Sequence, residues 1–204
     1  MDKERLVSFS LGPFSTNAYL LINNKLNEAV LIDAPFETER LVKFIKERHL
    51  NLKGVILTHG HIDHIAGLSM IGAPFYIHTE DKEFLNNPDL NLSSLLCSSI
   101  CIDKEPIVLN EGKLFIDSFN IDVLHTPGHT PGSISLVVYD CLFSGDTLFF
   151  DSIGRTDIPL ASHGRLLDSI KKKILPLDKR MRVYPGHGPP TTIKREKEHN
   201  PFLC

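Results

Sequence analysis

The chain has 204 residues, of which 42% are hydrophobic and 23% charged, with 22 Lys plus Arg against 25 Asp plus Glu and a net charge of −3. These proportions, near globular averages, exclude a collagen, a disordered tail and a coiled coil, and without a basic excess nucleic acid is not the expected partner. A chain of this length buries roughly 70% of its unfolded surface, so it needs no staples, and one domain over residues 1–204 is expected.

Short apolar runs at residues 6–11, 18–23 and 29–33 read as strands, the last two joined by the turn signal Asn23-Asn24-Lys25-Leu26-Asn27. Residues 37–50 read as an amphipathic helix with Leu41, Val42, Ile45 and His49 on one face. A buried-strand run at 53–58 leads into a histidine-rich segment. A short strand is expected at 75–78, with Thr79 capping a helix through Phe84, and a polar, helical or irregular excursion at 86–99. The strand pattern returns from Ile107, with runs at 113–117, 121–125, 134–139 and 141–143. Leu166, Leu167, Ile170 and Ile174 have helical spacing, so a helix is expected from near Arg165 to Leu175. A last strand at 182–184 stops at Pro185-Gly186, and the mixed-charge run 194–198 reads as a solvated helix face. Two blocks of strands followed by a helix, with no linker between them, predict an α/β fold of mixed sheets covered by helices.

The four cysteines, Cys97, Cys101, Cys141 and Cys204, form no C-x-x-C pair, and free thiols in a reducing cytosol are expected. Cys97 and Cys101 are expected to pack in the core. No apolar leader follows Met1 and no apolar run approaches 18 residues, so a cytoplasmic protein without a membrane span is expected.

The chemistry concentrates in Thr58-His59-Gly60-His61-Ile62-Asp63-His64, where four potential ligands fall within six residues directly after a strand. In extended chain, His59 and His61 share a side, and Asp63 and His64 can turn toward a neighbouring position as a helix starts. Neutral imidazole and carboxylate suit zinc, iron or manganese. Three further segments each set one His or Asp beside glycine at a strand end: Pro127-Gly128-His129-Thr130, Ser144-Gly145-Asp146-Thr147 and Pro185-Gly186-His187-Gly188. Seven candidates result: His59, His61, Asp63, His64, His129, Asp146 and His187. A catalytic zinc takes three protein ligands and keeps one position open. Seven side chains, one of them shared, therefore serve two ions, and Asp146 with its two oxygens is the natural bridge. Two divalent ions, zinc foremost with iron or manganese as alternatives, are the expected cofactors. His49, His78, His125 and His163 are not expected to be ligands.

These motifs, in this order, resemble those of the metallo-β-lactamase superfamily, and most closely its small glyoxalase II-like (hydroxyacylglutathione hydrolase-like) hydrolases. Phe14-Ser15-Thr16-Asn17-Ala18-Tyr19 and Leu31-Ile32-Asp33 are similar to its early strands, so the resemblance spans nearly the whole chain. It implies an αβ/βα sandwich with metals at one edge between two sheets. It also implies His59, His61 and His129 at a first metal, Asp63, His64 and His187 at a second, Asp146 between them, and Asp33 holding a ligand from behind. The segment Gly154-Arg155-Thr156-Asp157 resembles the G-R-x-D stretch of small single-domain members, and Arg155 and Asp157 are candidate substrate residues beside a plain ion-pair reading. Only 17 residues follow His187, so the C-terminal helical domain through which glyoxalase II contacts glutathione is not expected.

The resemblance thus implies a two-metal hydrolase of a small thioester, of the S-lactoylglutathione type, in which a metal-bridging hydroxide attacks the carbonyl and Asp63 helps orient the attacking water. The alternative is an iron persulfide dioxygenase of the same superfamily, with one iron on His59, His129 and Asp146. β-Lactams are the less favoured substrate. The partner expected is a small thioester molecule, with no nucleic acid and no membrane.

Overall fold

The computed structural model describes residues 5–96 and 99–203. The first sheet takes its six strands in sequence order: β1 (Leu6–Leu11), β2 (Thr16–Asn23), β3 (Glu28–Ile32), β4 (Asn51–Ile56), β5 (Phe75–His78) and β6 (Ile107–Leu109). Its first three strands are antiparallel and the steps from β3 to β6 are parallel. There follow β7 (Gly112–Ile116), β8 (Phe119–His125), β9 (Ile134–Val138), β10 (Cys141–Gly145), the small hairpin β11 (Leu148–Phe149) and β12 (Ser152–Ile153), then β13 (Arg182–Pro185) and β14 (Thr191–Thr192). The second sheet has the order β14-β13-β10-β9-β8-β7, antiparallel except for the parallel pair β10 and β13. The helices are α1 (Glu39–Glu47), α2 (Ile62–Ile65), α3 (His163–Ser169), which runs on as a π turn Ile170–Ile174, and α4 (Ile193–His199).

The strand sequences explain the layering. β2 and β3 are apolar on both faces because both faces are covered. Leu20 and Ile22 point away from the second sheet into a cluster with Leu41 of α1, whereas Tyr19 and Leu21 join Phe119, Ile121 and Phe143 of the second sheet. On the far side of that sheet, Leu142 and Val183 pack against Leu166, Ile170 and Ile174 of the α3 stretch and Ile193 of α4. Each such buried side chain contributes roughly 1.5–3 kcal/mol. Two mixed sheets face to face with helices outside are the expected αβ/βα sandwich. Among the described residues no helix is long and apolar enough to cross a membrane.

Several local expectations need correction. α1 is shorter than the amphipathic pattern: Glu37 and His49 adopt φ of 59° and 53°, and His49 is exposed beyond the helix end rather than on its apolar face. The segment after β5 is a 3-10 helix, Thr79–Asn86, and its cap is His78, whose side chain accepts from the Glu80 N–H. The 86–99 excursion is irregular as expected, with a 3-10 turn at Ser93–Leu96 among its described residues. The charged run on α4 is not fully solvated, since Glu196 is buried and accepts hydrogen bonds from Thr191, Asn200 and the Asp151 N–H. Cys101 is exposed rather than packed, and Cys97 lies outside the described residues.

Candidate metal centre

Strand direction brings the candidate ligands together. β3 and β4 are parallel, so Asp33 and Thr58 leave the first sheet at the same edge. In the second sheet β8, β10 and β13 all point the same way, and their C-terminal ends deliver His129, Asp146 and His187 to that edge. Cross-sheet hydrogen bonds close it: Ile134 N–H to the Thr58 carbonyl at 2.8 Å, Asn17 N–H to the Gly186 carbonyl at 2.7 Å, and Tyr19 Oη to the Pro185 carbonyl at 2.7 Å. Two glycines permit the close approaches. Gly128 has φ of 143°, and a Cβ there would lie 2.3 Å from the Leu166 nitrogen. A Cβ on Gly186 would lie 2.2 Å from Asp146 Oδ1, so in Pro185-Gly186-His187 the glycine serves proximity rather than turning.

The seven side chains converge. His59, His61 and His129 form one group, Asp63, His64 and His187 another, and His59, His64 and Asp146 a third, each with its ligand atoms within 4.8 Å of one another. His61 Nδ1 stands 2.9 Å from His129 Nε2. Asp146 lies between the two outer groups: Oδ2 is 3.5 Å from His129 Nε2 and 3.6 Å from His187 Nε2, and Oδ1 is 3.4 Å from His64 Nε2. Asp63 Oδ2 is 3.1 Å from His187 Nε2 and accepts from Thr16 Oγ1 at 3.0 Å.

A supporting layer holds the ring. Asp33 accepts from the Thr58 N–H and hydroxyl, both at 2.8 Å, and its Oδ2 is 2.8 Å from His64 Nδ1, which directs His64 Nε2 toward the cluster. The Arg155 carbonyl lies 2.9 Å from His129 Nδ1. Asp81, which the sequence reading does not single out, is fully buried and accepts from the Gly60 N–H, the Gly132 N–H and Thr130 Oγ1. It ties the segment of His59 and His61 to the loop of His129. A lone Asp in a short polar run gives no spacing signal for such a role, although its place one turn after the 75–78 strand is legible.

Charge follows the same division. Burial, reinforced by neighbouring histidines, holds His59 well below the usual imidazole range and His61 at about 3; burial also lowers His129. Burial opposes charge on His64 as well, but Asp33, Asp63 and Asp146 outweigh it and raise its pKa; for His187 the hydrogen bond to Asp63 does so. Burial acts to raise the Asp63 and Asp146 pKa values, yet the adjoining histidines bring both below the ordinary carboxylate value. Among the described residues, four of the five buried side-chain atoms without a hydrogen-bond partner belong to this cluster: His59 Nε2, His61 Nε2, His64 Nε2 and Asp146 Oδ1. Unpartnered buried nitrogens and oxygens are costly unless something else satisfies them, and imidazole with carboxylate is the donor set of zinc, iron or manganese. The residues present therefore fit metal.

A profile of the metallo-beta-lactamase superfamily matches residues 11–187. The chain belongs to that superfamily. It is 37% identical over 199 residues to a protein of Haemophilus influenzae named hydroxyacylglutathione hydrolase GloC, with 93% of each chain covered. Two superfamily structures superpose closely. One is the BLEG-1 B3 metallo-beta-lactamase, with a TM-score of 0.92, 43% identity, and 97% of this chain and 99% of that one covered. The other is TTHA1623 in a di-iron-bound form, with a TM-score of 0.86, 34% identity, and 97% and 100% covered. The superfamily fold expected from the motifs is thus the one observed.

The candidate centre opens on a cleft of about 510 Å³ lined by His61, Asp63, His129, Asp146 and His187 together with apolar side chains. Arg155 also lines it, and two of its guanidinium N–H groups form a two-pronged ion pair with Asp157 at 2.8 and 2.9 Å. Both side chains of that pair are largely exposed.

Proposed function

We propose that this protein is a two-metal hydrolase acting on a thioester. The observation that carries the reading is the convergence of seven ligand-type side chains, with unpartnered buried atoms, at the floor of an open cleft. His59, His61 and His129 would hold one ion and Asp63, His64 and His187 the other, with Asp146 serving both. Two such ions supply Lewis-acid polarisation of a carbonyl and a water acidified toward neutral pH.

The chain's own residues do the rest. Asp63 stays ionised, fixed from one side by Thr16 Oγ1, and presents an acceptor at the cleft that can orient the proton of an attacking water. Asp33 and the Arg155 carbonyl fix the tautomers and orientations of His64 and His129. The buried floor excludes bulk water from behind the ligands, which strengthens every charge interaction there. The name of the Haemophilus influenzae relative supports a thioester over other acyl compounds, and the di-iron form of the second structural neighbour supports two ions over one.

The test uses metal-replete protein on S-lactoylglutathione, a simple acetyl thioester, a chromogenic cephalosporin and, with an oxygen electrode, glutathione persulfide. Thioester hydrolysis is expected. No turnover of any thioester, together with oxygen uptake on the persulfide or hydrolysis of the cephalosporin alone, overturns the reading.

A further inference from the structure

We propose that the cleft wall built by Leu92, Leu95, Leu96, Phe14 and Phe149 is an acyl-chain subsite, so that the preferred thioester carries an uncharged, apolar acyl group longer than acetyl. The inference rests on the thioester reading and names the substrate class within it.

Three observations carry it. First, large apolar side chains stay exposed at this mouth: Leu95 is 75% exposed, Phe14 45% and Leu96 39%, and all three line the same cleft as the candidate ligands. An exposed apolar patch beside a polar centre marks a place where something apolar binds. Second, the leucines are held outward. Asn91 behind them donates to the Phe84 and Ile100 carbonyls, accepts from the Ser93 N–H, and its own carbonyl receives the Ile62 N–H at 2.8 Å. Ser93 Oγ takes the Ile100 N–H. Leu92 sits at φ of 69°, a conformation bulky residues rarely adopt, within this frame. The frame ties the leucine turn directly to the start of α2, which carries Asp63 and His64, so an acyl chain lying on the turn would have its carbonyl at the metal-ligating floor. Third, charge is missing where a charged substrate would need it. Arg155 is the one Lys or Arg lining the cleft among the described residues, and two of its five N–H donors are paired with Asp157. A carboxylate on the acyl group would find no cation other than Arg155 on this wall among the described residues.

The expected effect follows from burial of methylene groups, about fourfold in kcat/KM per CH₂ that enters the subsite. The experiment uses metal-loaded protein and acetyl, butyryl, hexanoyl and octanoyl thioesters of one uncharged thiol, beside S-lactoylglutathione. In parallel, calorimetric titration measures binding of acetate, hexanoate and octanoate, which needs no turnover. The proposal expects kcat/KM and carboxylate affinity to rise with chain length to at least hexanoyl, and Leu95→Asp to flatten both series while the metal content stays that of the parent. Leu95 is exposed, so the variant is expected to fold; denaturation midpoints check this. A flat chain-length series in both turnover and binding overturns the proposal, as does a preference for the lactoyl glutathione ester over every alkanoyl one. Chain-length-dependent carboxylate binding without thioester turnover would sink the thioester reading and leave the subsite standing. Thioester turnover with no chain-length dependence in either turnover or binding would do the reverse.

Discussion

Asp81 is the residue whose loss should be felt most widely without touching a candidate ligand. Its carboxylate satisfies the Gly60 and Gly132 N–H groups and Thr130 Oγ1, all buried. Burial outweighs these bonds and holds its pKa at about 6. Asp81→Ala leaves the buried Gly60 and Gly132 N–H groups unpaired, at roughly 1–3 kcal/mol each, while Thr130 Oγ1 keeps Ser133 Oγ, so a loss of about 3 kcal/mol is expected in urea unfolding of the metal-free protein. Metal should also dissociate faster, because the loop of His129 loses its tie to that of His61. Unchanged stability and unchanged metal release would refute this role. The sequence makes the ligand-type residues legible because their chemistry demands rare residue types at fixed spacing beside strand ends. It leaves Asp81 and Thr16 hidden because a buried acceptor or a hydroxyl donor is defined only by what lies across the fold. Arg155 is half legible: its side chain stands out in the sequence, whereas its hydrogen bond to His129 comes from the backbone carbonyl, which any residue supplies.

Elements were legible where both faces or one clear face carried apolar periodicity, as in β2, β3, β8 and the α3 stretch. The segment from Thr79 to Leu96 was not, because 3-10 turns have no long period and are held by side-chain caps such as His78 and Asn91. The α4 segment misleads for another reason: alternating charges read as solvated, but Glu196 turns inward. It gathers Thr191 Oγ1, Asn200 Nδ2, the Asp151 N–H and Arg195, locking α4 to β14 and to the turn after β11. Glu196→Ala should therefore cost about 3 kcal/mol in thermal or urea unfolding, whereas Lys197→Ala, on the exposed side of the same helix, should change little. Equal effects would contradict the assignment. His78, expected to be ordinary, instead stacks on His125 at 4.0 Å and thereby joins β5 of one sheet to β8 of the other. Burial, with His125 beside it, lowers its pKa to about 4, against the pull of Glu80 and Glu111 and with a small contribution from Lys173. The unfolded chain thus binds a proton at His78 that the folded chain refuses between pH 6.5 and 4. Stability from this residue is complete above pH 6.5 and is lost as pH falls through that window, by at most about 3 kcal/mol and by less to the extent that solvent screens the ring. Comparing stability against pH for the parent and His78→Leu should show a shallower acid limb in the variant; parallel curves would contradict the shift.

At the scale of the whole molecule, two mixed sheets matter because at their common edge the ends of β4, β8, β10 and β13 aim side chains at one point. The sequence reading reaches this architecture through the order of strand and helix blocks and through the superfamily resemblance. The cross-sheet stitches at Asn17, Tyr19 and Ile134 lie beyond it, since backbone carbonyls leave no trace in residue identity. The central claim is that this edge holds two metal ions with Asp146 between them. Two dications held about 4 Å apart would repel by on the order of 16 kcal/mol even at an effective dielectric of 20, so Asp146 would offset charge as well as supply ligand atoms. The most direct measurement is elemental analysis of metals per chain, after desalting without chelator, for the parent, Asp146→Ala and His187→Ala. Close to two equivalents are expected in the parent, a larger loss in Asp146→Ala, and in His187→Ala one site still largely filled by His59, His61 and His129. A parent holding one equivalent or none, or an Asp146→Ala protein that keeps two while His187→Ala loses both, would contradict it.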